Sequence, residues 1–142
     1  MRNILVAVDG SAHSRKVAEH LVNLSRELRQ PPEVHLLTVQ QQLAGVNVKL
    51  FVSHDSLNAY YREEGEAALK PAREVLDAAG VAYAHHIGVG HPAEVIVEYA
   101  RAKGCDHILM GTHGHAALAG MVLGSIATRV LHLATVPVTL VR

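Results

Sequence analysis

Five short apolar runs punctuate the chain, at Ile4–Val8, Val34–Val39, Ala82–Val89, His107–Met110 and Val136–Val141. Four of them are rich in β-branched residues or leucine and poor in charge, the composition of strands covered on both faces. Ala82–Val89 is more mixed and suits a sheet edge. Between the runs, apolar residues recur at helical spacing. In Ala12–Arg29, Val17, Leu21, Leu24 and Leu28 fall four, three and four residues apart, with Arg15, Lys16, Glu19, Arg26 and Glu27 mostly elsewhere. Ser56–Ala79 carries Leu57, Tyr60, Tyr61, Ala68, Leu69, Ala72, Val75 and Leu76, and Gly80 follows as a C-cap. Pro71 inside it predicts a kink, or a helix start nearby. Pro92–Ala102 opens with proline at a first-turn position and stops before Gly104, and Ser125–Ala134 offers Ile126, Val130, Leu131 and Leu133 for packing. This alternation predicts an α/β fold whose sheet is mostly parallel and covered by helices on both faces. Gln40–Ser53 reads as a long surface loop, with a strand through Val46, Val48, Leu50 and Val52 as the alternative.

Composition narrows the class. The 142 residues are 49% hydrophobic and 18% charged, which suits one globular domain over 1–142. Lys and Arg number 13, as do Asp and Glu, so binding to nucleic acid through phosphate neutralisation is not expected. The eleven histidines qualify that balance, because many would protonate below about pH 6. A lone cysteine, Cys105, excludes an internal disulfide framework and fits a reducing compartment. The first apolar run is too short for a signal-peptide core, and no stretch approaches the ~20 apolar residues of a membrane span. The expectation is a cytoplasmic protein without a membrane partner.

In an open parallel sheet, ligands bind beyond the carboxyl ends of the strands, where the strand order reverses. After the first run stands Val8-Asp9-Gly10-Ser11; after the fourth, Gly111-Thr112-His113-Gly114. After nine intervening residues come Gly124 and Ser125, at the start of the last helix. Glycines let backbone amides approach an anion closely, and a helix N-terminus favours phosphate. The spacing G-x2-G-x9-G-[S/T], together with ILVAVDGS, VGHPAEVIVEYAR, CDHILMGTHG and VPVTLVR in that order, resembles the ATP-binding subgroup of the universal stress protein family. The likeness covers nearly the whole chain except Gln40–Ser53.

The resemblance implies a doubly wound five-stranded parallel sheet of order 3-2-1-4-5, a Rossmann-like three-layer sandwich of the adenine nucleotide hydrolase type. It also implies a homodimer, here through Val136–Val141, and an ATP site, with Mg²⁺ carried by the nucleotide. By position, Ala7 and Val8 would line the base, Val39 would pack on adenine, and Asp9 would approach the ribose or adenine. Met110 and Gly111 would border the ribose, and His113 and Gly114 the phosphates. Gly124, Ser125 and Ile126 would supply phosphate-binding amides and a hydroxyl. The stretch HAALAGMVL between the glycine turns holds no Lys or Arg, which leaves His113 and His115 as the candidates for positive charge there. His91 stands where many relatives have a capping Asp or Asn.

Other patterns carry less. Gly88-Val89-Gly90-His91-Pro92-Ala93 has the form of a dinucleotide fingerprint, but the next run ends Leu109-Met110-Gly111, with no ribose-binding acid. His85 and His86, neighbours on a strand, point to opposite faces and do not chelate one ion together. Cys105 reads as an inert core thiol, and Tyr60 and Tyr61 as packing residues. Three functions follow: a nucleotide-binding regulatory module of the stress response with an unknown protein partner, a slow ATP hydrolase or adenylyl-transfer enzyme of the same fold, and a nucleotide-free dimeric interaction module.

Overall fold

The computed structural model describes residues 1–41, 54–114 and 123–142. The strands are β1 (Asn3–Ala7), β2 (Glu33–Gln40), β3 (Ala84–Val89), β4 (His107–Gly111) and β5 (Val138–Val141). The helices are α1 (Ala12–Glu27), α2 (His54–Ala78), α3 (Pro92–Ala102) and α4 (Ser125–Leu133). The strands form one parallel sheet in the order β3-β2-β1-β4-β5. This is the doubly wound order that the resemblance implies, and β3 lies at an edge, as its mixed composition predicts. The predicted loop over Gln40–Ser53 lies outside the described residues from 42 onward.

Strand side chains alternate between faces, and two apolar layers result. Ile4 and Val6 of β1, with Val34 and Leu36 of β2, pack against Val17 and Leu21 of α1 and Leu69, Ala72 and Leu76 of α2. Leu5 and Ala7, with Leu37, Ile108 and Met110, pack against Ala93, Ile96 and Ala100 of α3 and Ala127 and Val130 of α4. The central strands are thus apolar on both faces, so β1 and β4 read as continuous hydrophobic runs.

The structure adjusts several boundaries. Helix α2 runs through Pro71 as one element, so no helix starts there. Strand β5 begins at Val138 rather than Val136, because Pro137 has no N–H to give the ladder, although its carbonyl accepts from Ile108. Gly10, at φ +82°, turns the chain from β1 into α1 so closely that a Cβ there would lie 2.9 Å from the Ala68 backbone of α2. That contact seats α2 beside the carboxyl end of β1.

Three histidines inside the sheet are satisfied locally, as buried polar groups must be. Nearly buried His35 bonds through Nδ1 to His86 Nε2 at 3.0 Å and through Nε2 to Glu33 Oε1 at 3.0 Å. His107 Nε2 meets Thr139 Oγ1 at 2.7 Å. His85 lies 3.7 Å from Glu66, so the neighbours His85 and His86 have different partners on opposite faces, as expected of a strand. Among the described residues no three His, Cys, Asp or Glu side chains assemble as a metal-binding set.

Candidate functional site

The carboxyl ends of β1, β2 and β4 and the amino ends of α1 and α4 surround a cleft of about 610 Å³. That volume lies inside the roughly 300–1,000 Å³ of small-molecule sites. It opens where the sheet order reverses, between β1 and β4, the position where open α/β sheets bind ligands.

The turn after β1 is held by its own polar groups. Asp9 Oδ1 accepts the Ser11 amide at 2.9 Å and lies 3.4 Å from Ser14 Oγ, which in turn accepts the Gly10 amide at 2.9 Å. Ser11 occupies the N-cap position of α1, but its side chain makes no capping bond. Asp9 and Ser14 therefore order the turn, and Ala7, Val8 and Asp9 all line the cleft.

Beyond β4 the chain folds back on itself. The Thr112 amide donates to Val141 at 2.9 Å, and the Thr112 carbonyl accepts the Gly124 amide at 2.7 Å. Gly124 then caps α4, whose first helical bond runs from the Thr128 amide to the Gly124 carbonyl at 3.0 Å. The amides of Ser125, Ile126 and Ala127 thus precede that first bond, at the positive end of the helix dipole. Gly114 sits tightly against the β1 turn: a Cβ there would lie 2.1 Å from Asp9 Oδ2. A side chain at 114 would displace the Asp9 carboxylate from its place in the turn.

The other wall is apolar. Leu37 and Val39 of β2, Pro92 and Ile96 of α3, and Met110 and Ile126 face the same space. Thr38, at the end of β2, contributes a hydroxyl that is buried without a hydrogen-bond partner among the described residues. The cleft therefore pairs a flat hydrophobic side with a side of glycine turns and helix amides, and a base joined to a phosphate is chemically divided in the same way.

All eleven residues singled out from the sequence line this one cleft: Gly111, His113, Gly114, Gly124 and Ser125 join those already placed. His115 lies outside the described residues. Sequence reasoning missed His13 and Ser14 of α1, Thr38, Gln40 and Gln41 of β2 and its exit, and Tyr60 of α2, which lines the cleft although it read as a packing residue. Tyr61 is buried, with its ring 5.9 Å from that of Tyr60. The signal for His13 was its place in the first turn of a helix that begins at a strand end. For Pro92 and Ile96 there was none, since apolar positions on a helix read equally as core.

Cys105 is buried at the far end of β4, and burial pushes its thiol up to about 11. It is a core thiol rather than a reactive one. No described helix is long and apolar enough to cross a membrane.

Comparison with known proteins agrees with this geometry. The sequence profile of the Universal stress protein family matches residues 1–142. The universal stress protein MJ0531 of Methanocaldococcus jannaschii is 33% identical over 141 residues, covering 99% of this chain and 82% of its own length. Among solved structures, MJ0577 superposes with a TM-score of 0.82 at 28% identity, over 99% of this chain and 94% of that one. The universal stress protein from Archaeoglobus fulgidus in complex with dAMP has the same fold, with a TM-score of 0.69 at 21% identity over 100% and 98% of the two chains. With the sheet order, the cleft at the β1/β4 switch point and a profile match along its whole length, the chain belongs to the universal stress protein family.

Proposed function

We propose that the protein binds an adenine nucleotide in this cleft and acts through the bound state as a regulatory module of the stress response. ATP, carried with Mg²⁺, is the nucleotide favoured here. One observation carries the reading: glycine turns and the α4 amides converge on one side of a cleft whose other side is apolar. The base would rest on Val39 with Ala7 and Val8, and the ribose at Asp9, Met110 and Gly111. The phosphates would lie along His113, Gly114 and the Gly124-Ser125-Ile126 turn. Other solved universal stress proteins have been seen with cAMP, with dAMP and with AMP, which supports the ligand class. Asp9 is the one acid lining the cleft among the described residues, and its Oδ1 is engaged by the Ser11 amide. This favours binding over hydrolysis. The lone buried thiol suits a reducing compartment such as the cytoplasm.

Calorimetric titration of nucleotide-free protein with ATP·Mg²⁺ and with AMP tests the reading, beside Gly124→Val. A Cβ at 124 would lie 3.2 Å from the Thr112 carbonyl oxygen, so valine crowds that contact and places its branches at the start of α4, beside the cleft. Micromolar binding by the wild type, at least about tenfold weaker in the variant, is expected. A folded wild type that releases no heat at millimolar nucleotide would reject it.

A further inference from the structure

The phosphate side of the cleft has an unusual charge inventory. Among the described residues no Lys or Arg lines the cleft, and its ionisable side chains are Asp9, His13, His113 and Tyr60. Arg15, the nearest arginine along α1, is paired with Glu74 of α2. A bound phosphate brings negative charge next to the Asp9 carboxylate. Apart from the dipole of α4, the two imidazoles are the side chains among the described residues that offer compensating charge.

Their placement suits that task. His13 stands in the first turn of α1, and its Cβ would be 3.5 Å from a Cβ added at Gly111. His113 follows β4, with Nδ1 3.0 Å from Thr112 Oγ1. The two rings lie 6.1 Å apart between centroids and are tilted by 56°. Across such a gap, two charge-assisted N–H···O bonds of about 2.8 Å can converge on the oxygens of one phosphate group. Asp9 from the β1 turn, Tyr60 from α2 and the amide end of α4 face the same space.

We infer that His13 and His113 form a proton-gated clamp on the nucleotide phosphate, so that the protein holds adenine nucleotides more tightly in acid than in alkali. This inference rests on the nucleotide reading above and adds to it a residue, His13, and a regulating signal, the proton. A neutral imidazole donates one hydrogen bond, whereas an imidazolium donates two and cancels a charge. Since no Lys or Arg lines the cleft among the described residues, protonation of this pair adds positive charge on its phosphate side. The chemical group recognised is a terminal phosphate monoester; adenosine lacks it and is blind to the clamp.

The test is calorimetric titration with AMP and with adenosine at pH 8 and pH 6, without divalent metal, of the wild type, His13→Asn and His13→Lys. Thermal unfolding at both pH values establishes that each is folded. The phosphate's own ionisation near pH 6 is common to all three proteins and cancels between them. Wild-type affinity for AMP should rise on acidification about tenfold more than that of His13→Asn, while wild-type affinity for adenosine stays level. His13→Lys, charged at both pH values, should bind AMP at pH 8 about as tightly as the wild type does at pH 6. AMP binding with the same pH profile in wild type and His13→Asn would overturn the clamp and leave the nucleotide reading standing. Failure of folded wild type to bind either AMP or adenosine would overturn both.

Discussion

At the scale of single residues, His35, His86 and His107 lie within the sheet, whereas His13 and His113 face the cleft. Burial is the main cause that holds His86 below the ordinary histidine value, reinforced by His35, Lys103 and His85. Burial also lowers His107, against the opposing pull of Asp106. Folded protein thus holds fewer protons on these two groups than unfolded protein does. Their contribution to stability is complete above about pH 6.5 and is lost as pH falls through the lowered folded values. Thermal unfolding followed from pH 8 to pH 5 should show a midpoint that drops on acidification, and His107→Gln should flatten part of the drop. A midpoint unchanged across that range would contradict the assignment.

At the scale of elements, local chemistry determined how much could be read in advance. Helix α3 was legible to the residue, Pro92–Ala102, because proline marks its first turn and Gly104, at φ +65°, lies just past its end. The strands were legible as runs, but their ends were not: β5 waits for Val138 because Pro137 cannot donate, and β3 begins at Ala84, after Tyr83 has bonded Arg73 and Asp77. Pro71 does not divide α2, which is anchored on either side of it by buried Leu69, Ala72 and Leu76, and that packing outweighs the lost backbone bond. The glycine turns revealed one side of the cleft. On its apolar side Val39, Met110 and Ile126 came from the family resemblance, whereas Leu37, Pro92 and Ile96 were hidden, because they look no different from core residues in a sequence. One element carries a correctable flaw. His91 occupies the N-cap of α3 in extended conformation and makes no capping bond, with Glu94 three residues on. Glu94 is itself engaged by Arg129, so His91→Ser would add an N-cap hydroxyl rather than a full capping box, and should stabilise the protein by about 1 kcal/mol. A melting temperature raised by roughly 3 °C is the expected reading; an unchanged or lowered value would show that the amides at this end are already satisfied.

At the scale of the whole molecule, β5 is the outermost strand, and every one of its residues is half-buried rather than covered. An apolar edge of this kind invites pairing. Antiparallel alignment with the β5 of a second copy would cover both edges about a twofold axis. Sedimentation at micromolar concentration should therefore reveal a species of about twice 15.3 kDa; a monomer alone would remove the dimer from the proposal. Because Thr112 is tied to Val141 at the end of β5, that edge and the cleft share a framework.

Tyr60 offers a different kind of access to the same cleft. The chain contains four tyrosines and no tryptophan, so ultraviolet emission comes from phenol rings alone, with no indole to drain their excitation. Of the four, Tyr60 lines the cleft, whereas Tyr61, Tyr83 and Tyr99 do not. Whatever occupies the cleft lies against one intrinsic fluorophore, and the unlabelled protein reports its own occupancy as a change in light.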